Sequence, residues 1–374
     1  MHTPTTRRSR YGALFIAAVA FAPIALAQHS LDGPAVESKT VEQAYKNIAQ
    51  IKGTPAEQLM PAMQVISSSL GVECSFCHVA GKPELDDKPA KKTAREMMAM
   101  VASINTGSFG GRQQVSCYSC HHGVANPASV PPVLETDAPA RSETSTAAVP
   151  AAALTADDVI QKYVAAMGGA DAIRKITSRV EKGAILVGGS QTPIEVLTKA
   201  PNKRVTITRS GDGPGTSESF TAFDGTAGWM GNTGRPAREM SPTESGASAL
   251  DAEFAIALRL KELFPQIRRG RPEQIDGAMC ESLIGTGPGR PPVRLYFDQS
   301  SGLLVRMVRY AETPVGRNPT QIDYADYRDA DGVKIPFRWT LSRLNGRFTI
   351  QIADVKSNVP VDDAKFARPV GAVK

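Results

Sequence analysis

Cys74-Ser75-Phe76-Cys77-His78 and Cys117-Tyr118-Ser119-Cys120-His121 are two copies of one pattern, Cys-x-x-Cys-His, in a chain of 374 residues. Four of the chain's five cysteines and two of its five histidines fall within them. The spacing has a chemical reading. Two thiols one helical turn apart can add to the two vinyl groups of a single porphyrin, and the histidine that follows supplies the proximal nitrogen to its iron. Cys74, Cys77, Cys117 and Cys120 therefore read as attachment points, and His78 and His121 as iron ligands, for two covalently bound haem c groups. A disulfide or a redox dithiol would need no adjacent histidine. A zinc site drawn from both cysteine pairs would leave His78 and His121 without a role.

Outward from the motifs the pattern is helical. Thr54-Pro55-Ala56-Glu57 reads as a helix start, with Thr54 as N-cap, Pro55 at the first helical position and Glu57 completing a capping box. Leu59, Met63, Ile66 and Leu70 recur at helical spacing, with a kink or restart expected at Pro61 and a stop at Gly71. A polar loop from Gly81 to Lys88 offers Asp86 and Asp87 as caps for a second helix. Pro89 opens that helix, Met97, Val101 and Ile104 stripe it, and Asn105 and Gly107 are its expected stop. Lys82, Lys88, Lys91 and Lys92 read as a charged, solvated face that would place a positive rim near the motifs.

The iron needs a sixth ligand, and the histidines run out. His2 falls in a segment read below as removed, and His122 adjoins a proximal ligand and cannot reach the other face of the same iron. With only His29 left, two bis-histidine sites are excluded by counting. Methionine is the natural alternative, since a thioether ligand raises the reduction potential. Met60 and Met63 precede the first motif, and Met97, Met98 and Met100 precede the second.

Residues 1–27 read as an export signal. Arg7, Arg8 and Arg10 form a positive flank, Gly12 to Leu26 is apolar, and Ala25-Leu26-Ala27 is a cleavage pattern. The expected location is therefore periplasmic, with membrane association only through a partner. The formal charge of +6 falls with the loss of this segment, and haem propionates would lower it further, so basicity is no argument for nucleic-acid binding.

Residues 28–124 thus form an expected small α-helical dihaem domain, and residues 125–153, rich in Pro, Ala, Ser, Thr and Val, a linker. Residues 154–374 read as a second domain. It opens with a helix from Ala156 to Met167 closed by Gly168-Gly169, and then alternation takes over. Strands are expected at Ile176–Val187, Ile194–Lys199, Arg204–Arg209, Ser219–Asp224, Val293–Asp298, Leu303–Tyr310, Thr320–Tyr327, Pro336–Ser342 and Arg347–Val355, with one helix from Ala249 to Leu263. The fold class is α+β multidomain, the second part a curved antiparallel sheet or half-barrel wrapped around a helix. Cys280 reads as a small buried hydrophobe in a strand, and Arg268-Arg269-Gly270-Arg271 as a solvated loop.

Met97-Met98-Ala99-Met100 through Ile104-Asn105, followed by Val115-Ser116 and the second motif, resembles a haem unit of the cytochrome c subunit of photosynthetic reaction centres. Met63-Gln64-Val65-Ile66 ahead of Cys74 resembles another. In that family each haem follows a helix whose methionine is the sixth ligand. The resemblance therefore implies Met63 and Met97 as distal ligands, with Met60, Met98 and Met100 as alternatives. There are departures: that subunit has four haems and a lipid-anchoring cysteine, and it usually shows arginine where His122 stands. From about Leu154 the chain resembles lipoprotein-carrier proteins with a half-open barrel. The carrying residues are Met167-Gly168-Gly169-Ala170-Asp171-Ala172, Phe223-Asp224-Gly225-Thr226-Ala227-Gly228-Trp229, Asp326-Tyr327-Arg328-Asp329 and Gly332-Val333-Lys334-Ile335-Pro336-Phe337. That likeness implies a concave face able to take a hydrophobic ligand. The expected function is electron transfer between a redox protein donor and acceptor rather than catalysis. Two rivals are a dihaem peroxidase or related oxidoreductase with one open iron site, and a lipid- or quinone-binding module with a haem redox sensor.

Overall fold

Alternation decides most of the chain. Val333, Ile335, Phe337 and Trp339 are buried at every second position of one strand, as the two-residue period of a sheet with one covered face requires. The computed structural model describes residues 39–127, 154–211 and 216–368. The expected export signal, and the expected linker beyond Pro127, lie outside the described residues.

Among these residues, fourteen strands form one sheet: β1 Ser178–Val187, β2 Ser190–Lys199, β3 Lys203–Ser210, β4 Ser217–Phe223, β5 Gly228–Asn232, β6 Arg238–Glu239, β7 Arg268–Arg269, β8 Glu273–Ile275, β9 Ala278–Gly285, β10 Val293–Asp298, β11 Leu304–Thr313, β12 Gly316–Ala330, β13 Val333–Arg343 and β14 Gly346–Ser357. Every pairing is antiparallel. The order is β6-β5-β4-β3-β2-β1-β14-β13-β12-β11-β10-β9-β7, with β8 on β9, so the sheet stays open. This is the expected α+β architecture.

Among the described residues nine helices accompany it: α1 Val41–Ala44, α2 Leu59–Leu70, α3 Cys74–Cys77, α4 Pro89–Phe109, α5 Tyr118–His121, α6 Ala156–Ala166, α7 Ala170–Lys175, α8 Pro242–Asp251 and α9 Ile256–Leu263. One face of the sheet packs on α6, α7, α8 and α9 through Tyr163, Ile173, Leu250, Leu260, Phe264, Leu283, Leu295 and Phe297. A smaller apolar cluster, Val205, Ile207, Ala222, Val361 and Phe366, seats the C-terminal stretch on β3 and β4. Cys280 is fully buried in β9, as expected.

Four expectations are corrected. The helix over Ala249–Leu263 is two helices, α8 and α9. Between them Glu253 leaves helical geometry to bury a carboxylate that Arg259 and Arg290 hold. Arg268 and Arg269 are not loop residues: β7 pairs with β9, and Arg269 bonds Glu281 at 2.7 Å. Near the motifs, Pro55 rather than Thr54 caps a short 3-10 turn, Ala56–Gln58, ahead of α2. Pro61 causes no restart because it lies in the first turn of α2, where backbone N–H groups have no intrahelical partner.

Candidate functional site

Each motif is a single helical turn. In the first, α3 begins at Cys74, and the His78 N–H donates to Cys74 O at 3.0 Å, so both thiols and the histidine ride on one turn. In the second, Cys117 precedes α5, and the Cys120 and His121 N–H groups donate to Cys117 O at 3.3 and 3.1 Å. All four cysteines are free thiols; Cys74 and Cys120 are exposed, Cys77 and Cys117 half-buried. Burial pushes the Cys77 and Cys117 thiols up.

The histidines decide the reading. His78 Nδ1 lies 2.9 Å from Pro83 O, and His121 Nδ1 lies 3.0 Å from Val124 O. A carbonyl only accepts, so Nδ1 carries a proton in both rings, and in the neutral ring the free lone pair is on Nε2. Nε2 makes no hydrogen bond in either ring within the described residues. An imidazole anchored through Nδ1–H to a carbonyl, with Nε2 unengaged, is how a metal-ligating histidine is oriented. His122 is different. Its Nε2 donates to Ser119 O at 3.0 Å and its ring stacks on Tyr118 at 5.4 Å.

The loops that supply the two carbonyls are built differently. Lys91, 7 % exposed, donates to Pro83 O and Leu85 O, each at 2.8 Å, and pairs with Asp86 at 3.0 Å. Arg95 bonds both Asp86 oxygens at 3.0 Å. Lys88 donates to Ser75 O. Lys88 and Lys91 are thus committed to holding this loop, which corrects the expectation of a four-lysine solvated face. Asp86 is an anchor for these cations and not a helix cap; α4 starts from Lys88 with Pro89 at its first position. Around the second motif the work falls to backbone and to Asn105. Asn105 does not end α4, which runs on to Phe109 and closes at Gly110 (φ 61°). Its buried amide donates to Val115 O at 2.8 Å and accepts from the Gln114 and Val115 N–H groups at 3.0 Å, pinning the approach to Cys117. Beyond the motif, the Gly123 N–H donates to Ser69 O at 2.8 Å, so α2 supports the second motif. A Cβ at Gly71 (φ 64°) would collide with Gly123 O, so this close approach requires glycine.

Of the methionines, Met60 and Met100 are exposed (58 and 44 %), and Met98 packs on the cluster of Ala62, Val65 and Val315. Met63 in α2 and Met97 in α4 are half-buried and lie outside that cluster. The cluster is also where the sheet meets the motifs. The turn between β11 and β12 inserts Val315; Gln113 donates to Thr313 O at 3.0 Å, and Asn318 to Gln64 Oε1 at 3.2 Å. At Gly316 (φ 142°) a Cβ would stand 3.2 Å from Ser116 Cβ, one residue before Cys117.

Residues 18–190 match the family model of the photosynthetic reaction centre cytochrome C subunit. The N-terminal part of the chain is reaction-centre-cytochrome-like. That match supports, at the level of class, c-type haem and electron transfer, and it runs past both motifs and through β1 to the first residue of β2. Two solved structures align with part of this chain. A DUF1329 family protein from Desulfovibrio piger aligns with TM-score 0.41 and 15 % identity, over 56 % of this chain and 96 % of its own. A LolA superfamily protein from Nitrosomonas europaea aligns with TM-score 0.40 and 16 % identity, over 58 % of this chain and 99 % of its own. Among the described residues, no three His, Cys, Asp or Glu side chains converge as a metal-binding group, and no helix is long and apolar enough to cross a membrane.

Proposed function

We propose that this chain is an exported, periplasmic dihaem c-type cytochrome that carries electrons between a donor and an acceptor redox protein. The observation that carries the reading is the shared state of His78 and His121: each lies on or just beyond a turn bearing two free thiols, with Nδ1 tied to a carbonyl and Nε2 unengaged. Cys74 and Cys77 would hold one porphyrin, and Cys117 and Cys120 the other. His78 and His121 would be the proximal ligands, and Met63 and Met97 the distal ones. When bound, the haem iron supplies one-electron ferric–ferrous chemistry, with a potential set by its axial ligands and their hydrogen bonds. The chain's own residues hold the imidazoles at fixed tautomer and orientation. With a thioether on each distal side, no coordination position is left for a substrate, which favours a carrier over a peroxidase.

The test is a haem count per chain by alkaline pyridine spectrum, with the ferrous absorption spectrum recorded before and after carbon monoxide. Two haems and an unchanged spectrum are expected. Rapid carbon monoxide binding at one haem would remove its methionine ligand and move the reading to an oxidoreductase with an open site.

A further inference from the structure

The two motif histidines share a tautomer but not a surrounding. Pro83 O accepts from His78 Nδ1 at 2.9 Å and from the Lys91 ammonium at 2.8 Å. Val124 O accepts from His121 Nδ1, and among the described residues no lysine or arginine donates to it. Behind His78 two cations, Lys91 and Arg95, face one carboxylate, Asp86. Lys88, on Ser75 O, adds a third positive charge to the same loop. Among the described residues the second motif has no such assembly. Between Met97 and Pro127 the sole Asp, Glu, Lys or Arg is Arg112, whose side chain donates to Phe109 O at 3.3 Å.

Resting on the two-haem reading above, we propose that Lys91 is a positioning residue that makes the site of His78 the more readily reduced of the two. Two effects act with the same sign. A carbonyl shared between two donors is a weaker acceptor for each, so the hydrogen bond that raises the basicity of His78 is weakened, and the ring pushes less electron density toward ferric iron. A buried ammonium close to the ring also opposes the extra positive charge of the ferric state, and burial limits how far water screens it. Asp86 moderates the second effect, and Arg95 offsets part of that moderation. An electron held by the pair then rests preferentially on the iron served by His78.

The test is a spectroelectrochemical titration of the holoprotein carrying Lys91→Met or Asp86→Asn. Lys91→Met is expected to lower one of two midpoints, the higher one, changing that site's ferrous-to-ferric ratio about tenfold at fixed applied potential, about 59 mV for one electron. Asp86→Asn removes the counter-charge and is expected to raise the same midpoint. The other midpoint stays in place in both. Opposite signs from two cuts in one network report charge, whereas a loosened loop would move the midpoint the same way in both. Lys91→Arg keeps the charge and is expected to restore most of the shift. Should Lys91→Met lose its haem, Arg95→Gln removes a positive charge from a less enclosed position and is expected to lower the same midpoint by less. Unchanged midpoints, or shifts of the same sign in Lys91→Met and Asp86→Asn, overturn the assignment. The haem count separates the two readings: a single haem per chain sinks the dihaem reading, while the paired shifts at the first motif still decide the role of Lys91.

Discussion

The helical stretch and the sheet keep their apolar side chains in opposite ways. From Lys39 to Pro127 only Val41, Ala62 and Val65 are buried hydrophobes, while Tyr45, Met60, Phe76, Met100, Tyr118 and Val124 stand exposed. The sheet and its helices bury Phe264, Phe297 and Phe366 completely, with a contiguous apolar cluster around the first two. A segment of this size ordinarily closes a core of its own. Here Phe76 and Tyr118 lie inside the two motifs, Met60 sits on the helix before the first and Met100 on the helix before the second. Four of these six exposed side chains thus belong to the motifs or to the helices before them, where the proposed haems would cover them. The sheet is organised around itself.

Removing one proposed attachment point from each motif should break that comparison most severely. In a Cys77→Ala/Cys120→Ala double variant, hydrogen exchange across α2 and α4 is expected to lose essentially all of its protection, because a group that binds only the folded state contributes its binding free energy to folding. Amides of β12, β13 and β14 are expected to exchange as before. Equal protection of α2 and α4 in variant and parent would mean that the helical segment folds on its own few contacts, and the contrast between the two regions would fall.

How much of this could be read in advance follows the same division. The motifs are legible as spacing: Cys74 to His78 and Cys117 to His121 each bring two thiols and a histidine to one turn. The central strands are legible because one face is covered, and alternation in β2 and β13 marks that face. The two-residue edge strands β6 and β7 and the three-residue β8 are too short to show a period. The break between α8 and α9 was hidden because Glu253 reads as an ordinary helical residue until its arginines come in from elsewhere. At the site, the partners of the histidines are backbone carbonyls of Pro83 and Val124, which have no signature in side-chain identity. Asn105 looks like a helix stop and Lys91 like a surface charge. Only the fold turns one inward to the loop before Cys117 and the other onto the carbonyl behind His78.

The junction offers a smaller perturbation that sharpens the contrast. Val315 is 7 % exposed and belongs to the sheet by sequence, yet its neighbours Ala62 and Val65 belong to the helical stretch. Val315→Ala removes two methyl groups from this contact and should cost about 2 kcal/mol. If the helical stretch leans on the sheet for part of its order, the loss appears as faster exchange in α2, with the thermal transition of the sheet nearly unmoved. A loss confined to β11 and β12 would instead show that the turn only packs against the helices without supporting them.

The finest contrast lies between the two motifs, and acid should reveal it. Hydrogen bonds from Arg95 and then Lys91 hold the Asp86 carboxyl down to about 2, from an ordinary 3.8. A depressed carboxylate contributes stability that is fully present above its unfolded value and is lost as pH falls through the folded one. The loop that carries Pro83 O should therefore loosen between about pH 4 and about pH 2, and with it the orientation of His78. No carboxylate stands in the sequence from Met97 to Pro127, so the stretch carrying His121 has no counterpart to this step. The effect is small because Asp86 is open to solvent, where ion pairs are weak. Acid titration followed by the exchange of amides 83–95 should show an inflection that Asp86→Asn abolishes. The same measurement across amides 115–124 should show none. An inflection of equal size at both motifs would mean that acid acts on a feature they share, and the asymmetry assigned to Lys91 and Asp86 would lose its structural basis.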